Sequence, residues 1–575
     1  MECGTQGFGW NQVLELTDRA RSSVASLAAV GLLLPAINAL AQVQPPATPV
    51  NDAQHHQEQK LNAMREQATV RQDVLTPAAA TAPSQLHLPA ETPCFKILQV
   101  EWRDAGDFSW LPSHAPIEGQ CVGAQGPNAI RNWLTRELIA RGYITTQVII
   151  PAQDISNGHL IIQIVPGRIG KIVDDGIGWP GTAFPGRSGD LLNVRDLDQA
   201  LENIRRLSGQ ATTAFDLIPG TELGEADVIV KHPSDATRAR FILTADNSGI
   251  DATGRYQLGG ILVVDSPLHL YDQLIATYAN DARPGNHTSG SNAKSVAWNV
   301  PIGYASFSLG FSEWANRQSV QIGDIKIPYT GQTRLFEIGV GYVPYRSSHS
   351  KGSLNFRLFR RQDSAALQGE ELLTAAHDIT GYELDFNHME KLASISLNAG
   401  VGVRGSFPGL SRTPGYVYGH SNWSGRYHIL LANASVVSQF SIGSRNFGYS
   451  GSVLLQHAAM PIPSTEYLQI GGRYTVRGFD GNSTLNASSG WIWRNEIATP
   501  VTRSGLAEAY VALDAGSVSG NATSNGTGTL VGTALGVRGS YRRFGYDVSI
   551  GLPIAKPSVV QTGKPSVNFL FTSQF

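Results

Sequence analysis

From about Arg238 to Phe575 the chain alternates apolar residues with small or polar ones. In Ala305-Ser306-Phe307-Ser308-Leu309-Gly310-Phe311-Ser312 every odd position is apolar and every even one is tiny or polar. The same rhythm runs from Phe447 to Gln456 and from Tyr546 to Leu552. Period two puts successive side chains on opposite faces of a strand, so each run predicts a strand with one apolar face. A half-buried soluble sheet alternates as well. Here, however, the pattern recurs over roughly 340 residues without an intervening helical period, and a lipid-facing sheet accounts for that scale. Inside a bilayer every backbone N–H and C=O must be paired within the protein, so strands cross only as a closed barrel, apolar side out. At about 10 residues per tilted strand plus loops, this length accommodates about sixteen strands. The small inward residues predict a lumen wide enough for water or a plug.

Upstream the texture changes twice. From Cys94 to about His232, short β-branched runs alternate with amphipathic helices. A first unit holds a strand from Phe95 to Trp102, a helix from Pro127 to Arg141, and strands from Gln147 to Pro151 and His159 to Val165. A second unit opens at Gly170-Lys171-Ile172-Val173 and continues through Leu191 to Asn193. A helix follows from Arg195 to Leu207, and the unit closes on Asp227 to Lys231. Before these, residues 42–91 are rich in Pro, Ala and Gln, with one helix-forming island from Asp52 to Arg71 that is polar nearly all round. It reads as a mobile plug helix between two linkers, with His55-His56 on a solvated face and not a metal site. The N-terminal stretch carries Arg19 and Arg21, then a mostly apolar run ending Ala39-Leu40-Ala41, which reads as a signal peptide cleaved before Gln42. The expected architecture is therefore a transmembrane antiparallel β-barrel of about sixteen strands preceded by two small α+β domains and an N-terminal plug helix. The boundaries are 1–41 for the signal peptide, 42–91 for the linker, 92–169 and 170–235 for the small domains and 236–575 for the barrel.

Composition narrows the function. With 16% charged residues and a formal net charge of −2, nucleic acid is not an expected partner. Outside the N-terminus no run approaches the roughly 20 apolar residues of a membrane helix. Three cysteines occur, Cys3 in the leader and Cys94 and Cys121 in the exported part, and an oxidising periplasm predicts a disulfide between the latter two. No Cys/His spacing suggests zinc, and no cofactor is expected. Gly448-Tyr449-Ser450-Gly451-Ser452 lies in an alternating strand and lacks the strand–turn–helix context of a nucleophile elbow, so no enzymatic activity is expected.

Several segments together carry a family resemblance. Gly142-Tyr143-Ile144-Thr145-Thr146-Gln147-Val148 and Ile161 to Ile169 close the first small domain. Asn193-Val194-Arg195-Asp196-Leu197-Asp198-Gln199-Ala200-Leu201-Glu202-Asn203 forms the helix of the second. Asp246-Asn247-Ser248-Gly249 and Thr253 to Gly259 open the barrel, and Val476-Arg477-Gly478-Phe479 stands late in it. In this order the residues resemble the two-partner-secretion transporters (TpsB-type; haemolysin secretion/activation, filamentous-haemagglutinin transporters). The resemblance implies POTRA 1 at 92–169 and POTRA 2 at 170–235. It also implies that Val476, Arg477, Gly478 and Phe479 sit at the tip of a large loop folded back into the lumen. There Asp514, on an inward-facing strand, would anchor Arg477. Glycine permits the close approach such a turn needs, and arginine offers five donors to a carboxylate. The terminal Phe575 resembles the signal read by the outer-membrane insertion machinery.

The resemblance further implies a Gram-negative outer-membrane protein in contact with the lipid bilayer, its POTRA domains in the periplasm. Its partner would be a large secreted exoprotein, whether an adhesin, a haemolysin or a contact-dependent toxin. Edge strands can add an extended cargo segment by main-chain hydrogen bonds, and Gln147 to Pro151 and Asp227 to Lys231 are the candidate edges. An outer-membrane assembly factor is the alternative, since such proteins share the POTRA domains and the Val-Arg-Gly-Phe loop; a passive porin would leave both small domains without a role.

Overall fold

The computed structural model describes residues 48–69, 74–76 and 85–575, except 284, 287, 323, 413–422, 503–505, 523–525 and 563. The expected signal peptide and its cleavage point lie outside the described residues. So do Val70 and Arg71, the end of the expected plug helix.

Helix α1, Thr48–Ala68, lies inside the barrel. The first small domain follows with β1 (Gln99–Arg103), α2 (Gly126–Ala140), β2 (Gln147–Ile149) and β3 (His159–Val165). Strand β3 is central, parallel to β1 and antiparallel to β2, so β2 is an edge. Helix α2 lays Ile130, Trp133, Leu134 and Leu138 on this sheet, against Leu160, Ile162 and Ile164. The single strand expected from Phe95 to Trp102 is broken after Lys96. Phe95–Lys96 pairs instead with Cys121–Val122, and the Cys94–Cys121 disulfide, with Cα atoms 5.4 Å apart, closes that small ladder.

The second domain comprises β4 (Arg168–Val173), α3 (Val194–Arg205), β5 (Ala214–Pro219) and β6 (Glu225–Lys231). The Asn193 side chain caps α3 by accepting from the Arg195 amide. Here one expectation fails: Asp227 to Lys231 is not an edge. Strand β6 is central, parallel to β4 and antiparallel to β5, and the edges of this sheet are β4 and β5. Strand β5 had escaped the sequence reading because its run, Ala214-Phe215-Asp216-Leu217-Ile218-Pro219, is short and proline-ended, and its partner therefore looked unpaired.

Among the described residues sixteen long antiparallel strands close the barrel, together with two short ones, Glu370–Glu371 and Leu468–Ile470. The first strand, Ala239–Asp246, pairs with the last, Ser566–Gln574, from Leu570↔Asp246 to Gln574↔Ile242. The Phe575 amide donates to the Phe241 carbonyl at 2.8 Å, which extends this seam to the last residue. Along Ala305–Ile322 the alternation becomes geometry: Leu309 and Phe311 face the exterior while Ser312 and Trp314 are buried. Connections are short at one end of the barrel. Gly303-Tyr304 and Gly443-Ser444 turn in two residues, with left-handed φ of 61° at Gly303 and 60° at Gly443.

Candidate functional site: the plugged lumen and its inward loop

Helix α1 has no broad apolar face, so a soluble core would leave its charges unpaired. The lumen gives most of them a partner. Lys60 bridges Asp246 at 3.0 Å with both groups buried. Glu58 meets Arg361 at 3.3 Å, and Arg65 donates to Ser312 at 2.6 Å. Asp52 accepts from Asn486 and Gln469. A narrow apolar stripe that the sequence reading passed over, Leu61, Met64 and Ala68, recurs at three- and four-residue steps. Met64 and Ala68 pack on inward-facing Ile242, Ile261, Val263, Ile275 and Ala279, whereas Leu61 packs among Ala293, Trp314, Leu335 and Phe359. His55 and His56 are corrected as well: they are buried, not solvated. His55 Nε2 lies 3.1 Å from the Ser464 carbonyl, and His56 packs against Gly481, where a Cβ would come within 2.4 Å of the ring.

The wall facing the helix is paired within itself. Arg361 is also held by Asp363 at 3.1 Å, and Arg357 donates to both Glu337 and Glu383, the latter at 2.6 Å. Because these wall cations keep a carboxylate whether or not α1 is present, removing the helix strands few charges.

Between strands Arg445–Ala458 and Leu485–Pro500 a long connection turns back into the lumen. At its tip Arg477 donates Nε to Asp514 at 2.7 Å and Nη2 at 2.9 Å, a bidentate pair, and its amide donates to the same carboxylate at 3.0 Å. Asp514 is fully buried on Ala507–Ala522 and also accepts from the Asn495 amide at 3.2 Å. Val476 and Phe479 are buried with Ile470, Leu485, Val518 and Leu530. Gly478 has φ 107°, and a Cβ there would stand 2.5 Å from the Leu552 carbonyl oxygen. On the opposing strand a Cβ at Gly532 would reach within 2.0 Å of the Arg477 carbonyl. Backbone therefore lies on backbone, and a side chain at either glycine would lift the loop off the wall.

Three participants were missed in sequence. Glu496 accepts from Arg477 and ties it to Arg538 at 2.6 Å, while Arg494 stands directly opposite Asp514 in the ladder with Nε 3.8 Å from it. A signal existed: in Trp491-Ile492-Trp493-Arg494-Asn495-Glu496-Ile497 the aromatic and apolar odd positions face lipid, which turns Arg494 and Glu496 inward.

Below the barrel, α3 of the second domain packs on its short turns. Asn203 donates to the Gly303 carbonyl at 2.8 Å, and the Tyr304 hydroxyl donates to Asp196 at 2.6 Å. Lys351 meets Glu202 at 2.8 Å, and Arg346 donates to Gln199 at 2.9 Å. Tyr271, on the turn after Gln257–Asp265, is fully buried in this domain's core beside Ala183, Phe184 and Leu197. Val74, Leu75 and Thr76 of the linker lie in the same junction, where Arg346 donates to the Val74 carbonyl at 3.0 Å and Arg195 to the Thr76 carbonyl at 2.8 Å.

Residues 224–539 match the family described as haemolysin secretion/activation protein ShlB/FhaC/HecB. The chain belongs to this family. Residues 95–167 match the ShlB-type POTRA domain, and residues 178–213 match a second POTRA model. The outer membrane transporter CdiB-2 of Burkholderia pseudomallei strain 1026b is 31% identical over 571 residues, spanning 92% of this chain and 95% of that protein. The hemolysin transporter ShlB of Serratia marcescens is 27% identical over 466 residues, covering 78% of this chain and 79% of its own. The solved structure of CdiB from Escherichia coli superposes with a TM-score of 0.82 at 22% identity, covering 93% of this chain and all of that one, and shows the same fold. Membership places the chain among two-partner-secretion transporters of the outer membrane, with POTRA 1 and POTRA 2 in the periplasm. The short turns on which POTRA 2 rests are consequently periplasmic, and the long connections open to the cell exterior.

Proposed function

We propose that this transporter captures an unfolded partner exoprotein on its POTRA domains and passes it through the barrel after α1 withdraws, the Arg477 loop holding the wall's shape meanwhile. The observation that carries this reading is the stack of parts: POTRA 2 is fastened to three periplasmic turns, directly beneath a lumen filled by a helix held through replaceable ion pairs. Capture falls to the exposed sheet edges β2 and β5, where main-chain groups can pair with an extended segment, the outer edge of β4 being already bonded in part to residues 189–191. The cargo is a large exoprotein of adhesin, haemolysin or contact-dependent-toxin type, folding outside so that movement is biased outward. No hydrolysis is part of this scheme. Phe575, at the closing seam, serves as the mark by which the insertion machinery takes up the barrel. Co-expression with its cognate exoprotein tests the reading: protease-accessible exoprotein on intact cells should depend on the transporter. Equal surface exposure without it would refute the assignment.

A further inference from the structure

The exterior of the barrel carries one feature that export does not use. On the strands from Gly290 to Leu392 the outward residues form cross-strand rows. Trp298, Leu309, Ile338 and Leu358 make one, and Val296, Phe311 and Phe336 the next toward the cell exterior. The following row changes character: Lys294 stands opposite Glu313, and Glu313 opposite Arg334. Arg360 sits beside this row, with Asp378 completing it on the neighbouring strand. From Ala305 at the periplasmic end to Glu313 is eight steps, about 26 Å along the strand and about 20 Å along the membrane normal at the usual tilt; the charges therefore fall at the upper edge of a ~25 Å apolar band.

The row is cationic in balance and holds donors in reserve. Lys294 and Arg334 share Glu313, at 2.8 and 2.9 Å, yet remain 52% and 54% exposed. Arg360 is bidentate on Asp378 at 2.9 and 2.7 Å. Lys294, Arg334 and Arg360 thus stand as three cations against two carboxylates, Glu313 and Asp378. Among the described residues Arg334 donates only its Nε–H, to Glu313, which leaves its two terminal NH2 groups for an outside acceptor. Glu313, 14% exposed, holds Lys294 and Arg334 side by side on the exterior. A planar fork with spare donors matches a phosphate, and at this height, continuous with the lipid-facing band, the phosphates within reach belong to lipid head groups.

We propose that the cluster Lys294, Arg334 and Arg360 is a binding site for the phosphorylated head group of the outer-leaflet glycolipid. It ties this side of the barrel to the outer leaflet at the level where the long hairpin of Ala305–Ile322 and Ile325–Arg346 leaves the membrane. The full-length protein in detergent micelles, titrated with bisphosphorylated lipid A and with its dephosphorylated form and read by native mass spectrometry, tests this. The phosphorylated form should bind about ten-fold more tightly. The combined substitution Lys294→Gln, Arg334→Gln and Arg360→Gln should erase that difference while leaving the barrel heat-modifiable. Equal binding of the two glycolipids by the unaltered protein would overturn the proposal even if the variant failed to fold. Displacement of lipid A by millimolar inorganic phosphate would equally overturn it, showing an unspecific anion site.

Discussion

Replacing Asp514 by alanine is the sharpest perturbation of the inward loop. The carboxylate accepts from Arg477 Nε, Nη2 and amide and from the Asn495 amide, all between 2.7 and 3.2 Å, and is fully buried. Breaking a buried pair by removing one partner costs about 3–5 kcal/mol, because the other charge and its donors stay desolvated. Arg477, 12% exposed, keeps one carboxylate, since Glu496 still takes its Nη1. Asp514→Ala should therefore fall near the lower end of that range. Glu496→Gln, which leaves the bidentate pair intact, should cost about 1–2 kcal/mol. A denaturation midpoint followed through the heat-modifiable band reads the stability, and surface exoprotein reads function. A cycle of Arg477→Ala, Asp514→Ala and the double variant then isolates the pair: the double variant should be little worse than either single one. Arg494 beside Asp514 makes the comparison discriminating, for it offers the carboxylate a substitute cation when Arg477 is gone. Strictly additive losses, or an Asp514→Ala barrel with unchanged stability and secretion, would refute the idea that this contact seats the loop.

Deleting residues 48–68 should raise single-channel conductance in planar bilayers, since α1 fills the lumen; an unchanged conductance would show that the helix does not block ion flow. Reducing Cys94–Cys121, which spans a sequence separation of 27, should destabilise POTRA 1 by about 3.5 kcal/mol in the loop-entropy picture, read as the denaturant midpoint of its proteolytic protection. No shift would mean that the closed loop is already constrained without the bond. For POTRA 2, burial would raise the Asp174 carboxyl, but hydrogen bonds from His232, Tyr271 and the Gly176 amide outweigh it and hold it below its ordinary range. A depressed carboxyl contributes stability that is complete above its unfolded value near ~3.9 and is lost as pH falls through the folded one. Protease release of POTRA 2 from the barrel should thus rise only below about pH 4, and Asp174→Asn should flatten that limb. Release that rises already near neutral pH would point to a different group.

The sequence by itself determined what depends on local period and composition. Alternation in Ala305-Ser306-Phe307-Ser308 and its repeats specified a lipid-facing barrel because every strand obeys the same two-residue rule wherever it sits. The spacing of Ile130, Leu134 and Leu138, and of Leu197, Leu201 and Ile204, likewise specified the helices of the two small domains, while the inward loop at Val476-Arg477-Gly478-Phe479 and its anchor Asp514 were implied by the family resemblance. What the sequence left undecided were relations between distant segments. Asp227 to Lys231 looked like a free edge because nothing local says that Ala214–Pro219 pairs beside it. His55 and His56 looked solvated because a polar helix normally faces water, whereas here the water is replaced by the inward loop, more than 400 residues away in sequence, at Ser464 and Gly481. Glu496 and Arg494 joined the anchor only once the ladder set Arg494 opposite Asp514. Tyr271, a residue of a barrel turn, became core of POTRA 2. In each case the deciding term is desolvation: whether a charge, a ring or a sheet edge is covered depends on what the folded chain brings against it, and a local pattern carries no record of that.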